Sequence, residues 1–151
     1  MLAARGARVT GVEPAQAPYG YATEKETGNP RGIRYSQADL CRLPDLGGPF
    51  DAVVANMFLL DIPDWTGAMK ACTTALAPGG LFVFSIIHPC FEQLDPSWRA
   101  HGEYRVSEYF AEYEIPGPHA SSFHRPLSAY LRIAEQGSSP PQSAQATFTT
   151  A

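Results

Sequence analysis

The distribution of apolar and polar positions divides the chain into short strands separated by helix-length polar stretches. Residues 1–5 read as the last turn of a helix stopped by Gly6. Residues 8–13 form a strand candidate rich in β-branched Val9, Thr10 and Val12 and closed by Pro14. A short helix is predicted over 19–28, ended by Gly28-Asn29-Pro30. A second strand follows at 33–38, with Asp39 as its polar tip. After the loop "DLGGPFD", residues 52–55 give a compact buried strand. Asp64 can cap a helix running to about Leu76, with Ala68, Cys72, Ala75 and Leu76 on one face and Pro78-Gly79-Gly80 as its terminator. The uncharged run "LFVFSII" at 81–87 predicts a strand buried on both faces, as in a parallel sheet.

Strands alternating with helices indicate an α/β domain. From residue 88 to 125 the pattern changes: aromatic and charged residues interleave without a clean period, as in an inserted cap or hairpin. A helix resumes over 128–136. The segment "GSSPPQSAQATFTTA" has little apolar content beyond Phe148 and reads as a disordered tail over 137–151. The expected organisation is one domain over 1–136, with 88–125 as its substrate-side insertion.

Composition narrows the class. A chain of 151 residues suits one domain, and 44% hydrophobic against 17% charged residues is a globular balance. The net charge of −4, with no Lys/Arg cluster, argues against a nucleic-acid partner and leaves a small-molecule ligand open. Cys41, Cys72 and Cys90 lack metal-ligand spacing and read as free thiols, the usage of a reducing cytoplasm. The longest apolar run is too short to cross a bilayer, so no membrane partner is expected.

Ligands of parallel α/β sheets bind beyond the carboxyl ends of the strands, so the residues there are the site candidates. Glu13 ends the first strand; a carboxylate there can accept from two ribose hydroxyls, or equally cap the next helix. Asp39, in "QADLCRLP", can accept from an exocyclic amino group while the Leu40 N–H donates to a ring nitrogen; capping a local turn is the alternative. Asn56 and Met57 follow the third strand, and His88 follows the fourth.

The motifs "VTGVEPA", "QADLCRLP", "FDAVVANMFLLDIPD" and "LAPGGLFVFSIIHP", in this order, resemble the class I S-adenosylmethionine-dependent methyltransferases of small-molecule type. The resemblance runs from about residue 2 to 89, and more loosely to 132. It implies a Rossmann-like three-layer α/β sandwich with S-adenosylmethionine as cofactor. By the same matching Glu13 holds the ribose, Asp39 and Leu40 read the adenine, and Asn56 and Met57 lie along the methionine part. One departure stands out: the family's glycine-rich G-x-G-x-G loop, with the strand before it, does not occur in these residues, nor do the family's last strands. The expectation is an incomplete fold, truncated relative to the family, with weak cofactor binding or none.

On the acceptor side, His88 is the best-placed base for methyl transfer, with a backbone-bonded strand cap as the alternative. His124 and Arg125 are a second candidate pair, the arginine suited to a substrate carboxylate. Tyr109, with Tyr104, Phe110 and Tyr113, can wall an apolar pocket, although the spacing from Tyr109 to Tyr113 also suits one packed helix face. Trp65 is expected to staple the start of its helix. No metal site is expected. Two other functional classes remain in view: a nicotinamide-dependent oxidoreductase, which also ends its second strand with a ribose-binding acid, and a non-catalytic fragment that pairs with another chain.

Overall fold

The computed structural model describes residues 2–91, 94–118 and 120–136, so the tail read as disordered lies outside the described residues. The chain divides into two compact units, Met1–Pro49 and Phe50–Ala151, a boundary inside the span read as a single domain. It falls in the loop "DLGGPFD", where two glycines and a proline interrupt both helix and strand.

The first unit opens with a 3-10 turn, Ala3–Arg5, closed by Gly6 in the left-handed region at φ +89°. Strands β1 (Thr10–Val12) and β2 (Arg34–Ser36) pair in parallel, Thr10 opposite Arg34 and Val12 opposite Ser36, across helix α1 (Gln16–Gly28). Both strands are shorter than the expected spans 8–13 and 33–38. β-Branched content marks where a chain favours extension, whereas a ladder lasts only as long as the shared register. Helix α1 begins at Gln16, before the position expected, and carries Pro18 in its first turn. Proline costs little there, because the first N–H groups of a helix have no intrahelical acceptor. Gly11 is required by its neighbour: a Cβ at that position would lie 2.8 Å from ring carbons of Tyr35.

Glu26 fastens the α1–β2 turn. Its Oε1 accepts the N–H groups of Arg31 at 2.6 Å and Ile33 at 3.0 Å. Desolvation pushes this carboxyl up, but the backbone N–H groups of Arg31, Ile33 and Gly32, with the Arg31 charge, outweigh it and hold the group below the usual glutamate value.

The second unit repeats the strand–helix–strand plan. Strands β3 (Phe50–Asn56) and β4 (Leu76–Ser85) are parallel, with helix α2 (Trp65–Thr74) between them. Asp64 caps α2 as predicted, its Oδ1 accepting the Gly67 N–H at 2.9 Å; such a cap contributes about 1 kcal/mol. The helix stops at Thr74, however, and Pro78-Gly79-Gly80 lies inside the extended segment. There the ladder jumps from Phe50 opposite Leu76 to Ala52 opposite Leu81, and Gly79 takes φ +79°. The breaker residues thus form an irregularity within β4 rather than end a helix, and Leu76 belongs to the strand.

The strands are also not buried on both faces. Val54, Leu81 and Val83 are 54%, 61% and 43% exposed, while Ala55 is fully buried. An aperiodic apolar run carries no mark of which face a helix covers, which is why the sequence pattern misreads it. The buried face belongs to a core of Ala55, Leu59, Trp65, Ala68, Met69, Cys72, Ala129 and Tyr130. Trp65 does more than start its helix: its ring packs on Tyr130 at 4.8 Å, joining α2 to the helix α4 (Leu127–Gln136).

Between β4 and α4 lie a 3-10 turn (Pro89–Phe91), helix α3 (Leu94–His101) and an antiparallel hairpin of β5 (Tyr113–Ile115) and β6 (Ser122–His124). Tyr109 and Tyr113 do not share a helix face; Tyr109 sits in a turn and Tyr113 in β5, so their spacing follows a hairpin approach. No helix among the described residues is long and apolar enough to cross a membrane.

Glu26 has a lower pKa folded than unfolded, so its contribution is present at neutral pH and fades as pH falls through the carboxylate range. Glu26→Gln should therefore flatten the acid limb of the stability-versus-pH curve, measured by chemical denaturation between pH 7 and pH 3. Parallel curves for the two proteins would show that the turn does not depend on the charge.

Candidate functional site

In the first unit, the parallel pairing brings the ends of β1 and β2 out on the same side. Glu13 directly follows β1, and its N–H extends the ladder to the Ser36 carbonyl at 3.1 Å. Its Oε1 accepts the Ala15 N–H at 2.9 Å at the entrance to α1. Asp39 stands three residues beyond β2, its Oδ1 accepting the Cys41 N–H at 2.8 Å in a local turn. Gln37 links the two ends, its Nε2 donating to the Pro14 carbonyl at 3.3 Å. Each carboxylate spends one bond on its own turn, and two oxygens with several lone pairs leave it acceptor capacity for a ligand. Leu40 follows Asp39 in the chain and is half-buried at the turn.

In the second unit, Asn56 and Ser85 face each other as the last paired residues of β3 and β4. The Ser85 hydroxyl donates to Asn56 Oδ1 at 2.7 Å. The Met57 N–H donates to both the carbonyl and Oγ of Ser85, at 3.0 and 3.1 Å. Met57 is held in the left-handed region at φ +59°, a conformation costly for a residue with a Cβ. Nothing in the local sequence signals it, because glycine or asparagine would be the usual marker. This strained residue directly after a strand was not legible beforehand.

His88 is exposed beyond β4, and its Nδ1 accepts the Cys90 N–H at 3.2 Å. A neutral imidazole with Nδ1 as acceptor carries its proton on Nε2, which is then a donor. The ring neighbours Phe91 at 5.9 Å and Tyr109 at 6.4 Å, and Phe91 stacks on Tyr104 at 6.1 Å. An aromatic row therefore flanks His88. Phe110 meets Tyr109 edge-on and is 83% exposed.

His124 and Arg125 are placed differently from the substrate-facing pair expected. His124 is 2% exposed, stacked on Tyr113 at 4.6 Å with its Nε2 3.1 Å from the Tyr109 carbonyl. Arg125 is 3% exposed; its guanidinium donates to the carbonyls of Leu59, Ile62 and Pro63 at 3.0, 2.7 and 3.4 Å. The cleft beside them, bordered by Pro63, Trp65, Glu112, Glu114 and Phe123, has a volume of about 190 Å³, below the range of ordinary ligand pockets. Among the described residues no group of three or more His, Cys, Asp or Glu side chains is arranged to hold a metal ion.

Strand, helix and parallel strand, found once in each unit, is the building block of Rossmann-like α/β proteins, and solved structures of that class share this fold. An S-adenosylmethionine-dependent methyltransferase from Mesorhizobium loti superposes with a TM-score of 0.69 at 23% identity, covering 87% of this chain and 63% of that one. The PH0226 protein of Pyrococcus horikoshii gives 0.65 at 16% identity, covering 89% and 64%. The family model described as a methyltransferase domain matches residues 1–84, and the chain belongs to that family. Among curated relatives, a ubiquinone biosynthesis O-methyltransferase from Marinobacter nauticus is 36% identical over 91 residues, 56% of this chain and 37% of the relative. The protein of that description from Azotobacter vinelandii is 32% identical over 88 residues, 58% of this chain and 38% of the relative. The chain thus spans less than two-fifths of the length of these relatives. The matches do not favour the nicotinamide alternative.

Met57→Gly should stabilise the protein by about 0.5 to 1 kcal/mol, since glycine removes the left-handed penalty and returns part of it as chain entropy. Denaturant titration measures the difference. A destabilised variant would mean that the Met57 side chain contributes more packing than its backbone conformation costs.

Proposed function

We propose that this chain serves S-adenosylmethionine-dependent methyl transfer to a small-molecule acceptor, with a hydroxyl oxygen as the acceptor atom. The observation that carries it is the parallel register of β1 and β2, which brings Glu13 and Asp39 out at one sheet end. The oxygen acceptor follows the names of the O-methyltransferase relatives. The donor and acceptor chemistry at these strand ends suits the nucleoside part of the cofactor: Glu13 would accept from the ribose hydroxyls, Asp39 from the adenine amino group, and the Leu40 N–H would donate to a ring nitrogen. The family resemblance assigns the methionine part to Asn56 and Met57.

When bound, S-adenosylmethionine supplies an electrophilic methyl group on a sulfonium centre. His88 orients the acceptor by donating from Nε2, and it can take the hydroxyl proton there once its own proton passes to Nδ1 and the Cys90 bond is released. Phe91 and Tyr109 offer ring faces for a planar acceptor beside His88. This reading places the protein in the cytoplasm with small-molecule partners.

Ligand-observed NMR tests this reading. Saturation transfer to the adenine protons of S-adenosylmethionine should be detectable. Glu13→Ala should weaken it by about 1.5–3 kcal/mol, the loss of a charge-assisted bond; unchanged transfer in that variant would remove the ribose assignment. Separately, His88→Ala should slow methyl transfer to a hydroxylated aromatic acceptor about a hundredfold without altering the adenine signal. Full activity in that variant would return His88 to the role of a strand cap.

A further inference from the structure

Arg125 is the most deeply buried cation among the described residues, and its surroundings differ from those of a buried ion pair. Its guanidinium reaches back to the segment after β3, taking the carbonyls of Leu59, Ile62 and Pro63 as acceptors. Two ring faces enclose it, Phe123 at 4.8 Å and Trp65 at 5.4 Å. The planar fork suits this arrangement, since several N–H groups meet several carbonyls at once while the faces stack on aromatic rings. The acceptors are the first residue of the 3-10 turn Leu59–Asp61 and the two residues that follow the turn.

One end of that segment is Met57, held left-handed at φ +59°. Strained backbone persists only where its surroundings over-determine it. Ser85 fixes Met57 from the strand side through its carbonyl and hydroxyl. From the other side the chain is held by the three carbonyl contacts of Arg125. We propose that Arg125 is a positioning residue: it clasps the β3–α2 loop so that Met57 keeps its left-handed backbone and presents the Asn56–Met57 edge to the cofactor. The cofactor part of this inference rests on the methyltransferase reading above; the clasp itself rests on the geometry alone. It links the β5–β6 hairpin, which carries Arg125 at its end, to the loop after β3 within the same unit.

The test compares Arg125→Lys with wild type in both a Met57 and a Met57→Gly background. Lysine keeps the charge and the stem but loses the fork. In Arg125→Lys, amide hydrogen exchange over residues 58–62 should accelerate at least about tenfold while the central β3 and β4 amides keep their protection. S-adenosylmethionine affinity should fall about tenfold in the Met57 background and by less than about threefold in the Met57→Gly background, where the left-handed backbone needs no clasp. Equal losses in both backgrounds, or unchanged exchange over 58–62, would overturn the positioning role. If wild type binds no S-adenosylmethionine, the cofactor part of the proposal fails, and the exchange data alone decide whether the clasp exists. Should the lysine variant not fold, the wild-type spectrum decides: separately resolved, slowly exchanging Nη protons of Arg125 support the clasp, and a single averaged signal overturns it.

Discussion

Parallel pairing is the constraint from which the rest follows. Two parallel neighbours cannot be joined by a tight turn, so each pair encloses a helix: α1 between β1 and β2, and α2 between β3 and β4. The same geometry sends both strands of a pair out of the sheet at one end. Glu13 and Asp39 therefore follow the two strands of the first unit, and in the second unit Asn56 and Ser85 bond to each other across the strand ends. Functional polar groups collect at these ends because the strand interiors are committed to backbone bonding and side-chain packing.

The second unit shows how packing serves that end. Ala55 and Ala68 are fully buried, and small residues at these positions leave room for larger neighbours such as Met69, Trp65 and Tyr130. Trp65 then packs on Tyr130 on one side and meets the Arg125 guanidinium on the other. A buried cation is costly unless its N–H groups find acceptors, and here backbone carbonyls supply them. No buried side-chain nitrogen or oxygen among the described residues lacks a hydrogen-bond partner. The charge thus ties the hairpin, the loop after β3 and the helix start into one body.

His88 illustrates how a single backbone bond changes a chemical assignment. Its place after an apolar strand marks it as a candidate base, and its position beyond β4 agrees. The Cys90 N–H at Nδ1 makes Nε2 a donor in the neutral ring, the reverse of what a base needs there. Tyr109, expected on a helix face, instead comes from a turn to stack beside His88 and meet the edge of His124.

The strand-ending acids, the Asp64 cap, the alternation of elements and the family membership were all legible from the residues. These are local features: side-chain type, breaker chemistry and order along the chain carry them. The ladder lengths, the exposed faces of Val54 and Leu81, the left-handed Met57 and the buried Arg125 were not. Each depends on a partner far away in sequence, and one-dimensional pattern holds no record of which partner a side chain meets. Arg125 makes the point most directly. Next to a histidine it reads as a surface hook for an anion, and only folding brings the carbonyls of Leu59, Ile62 and Pro63 within its reach.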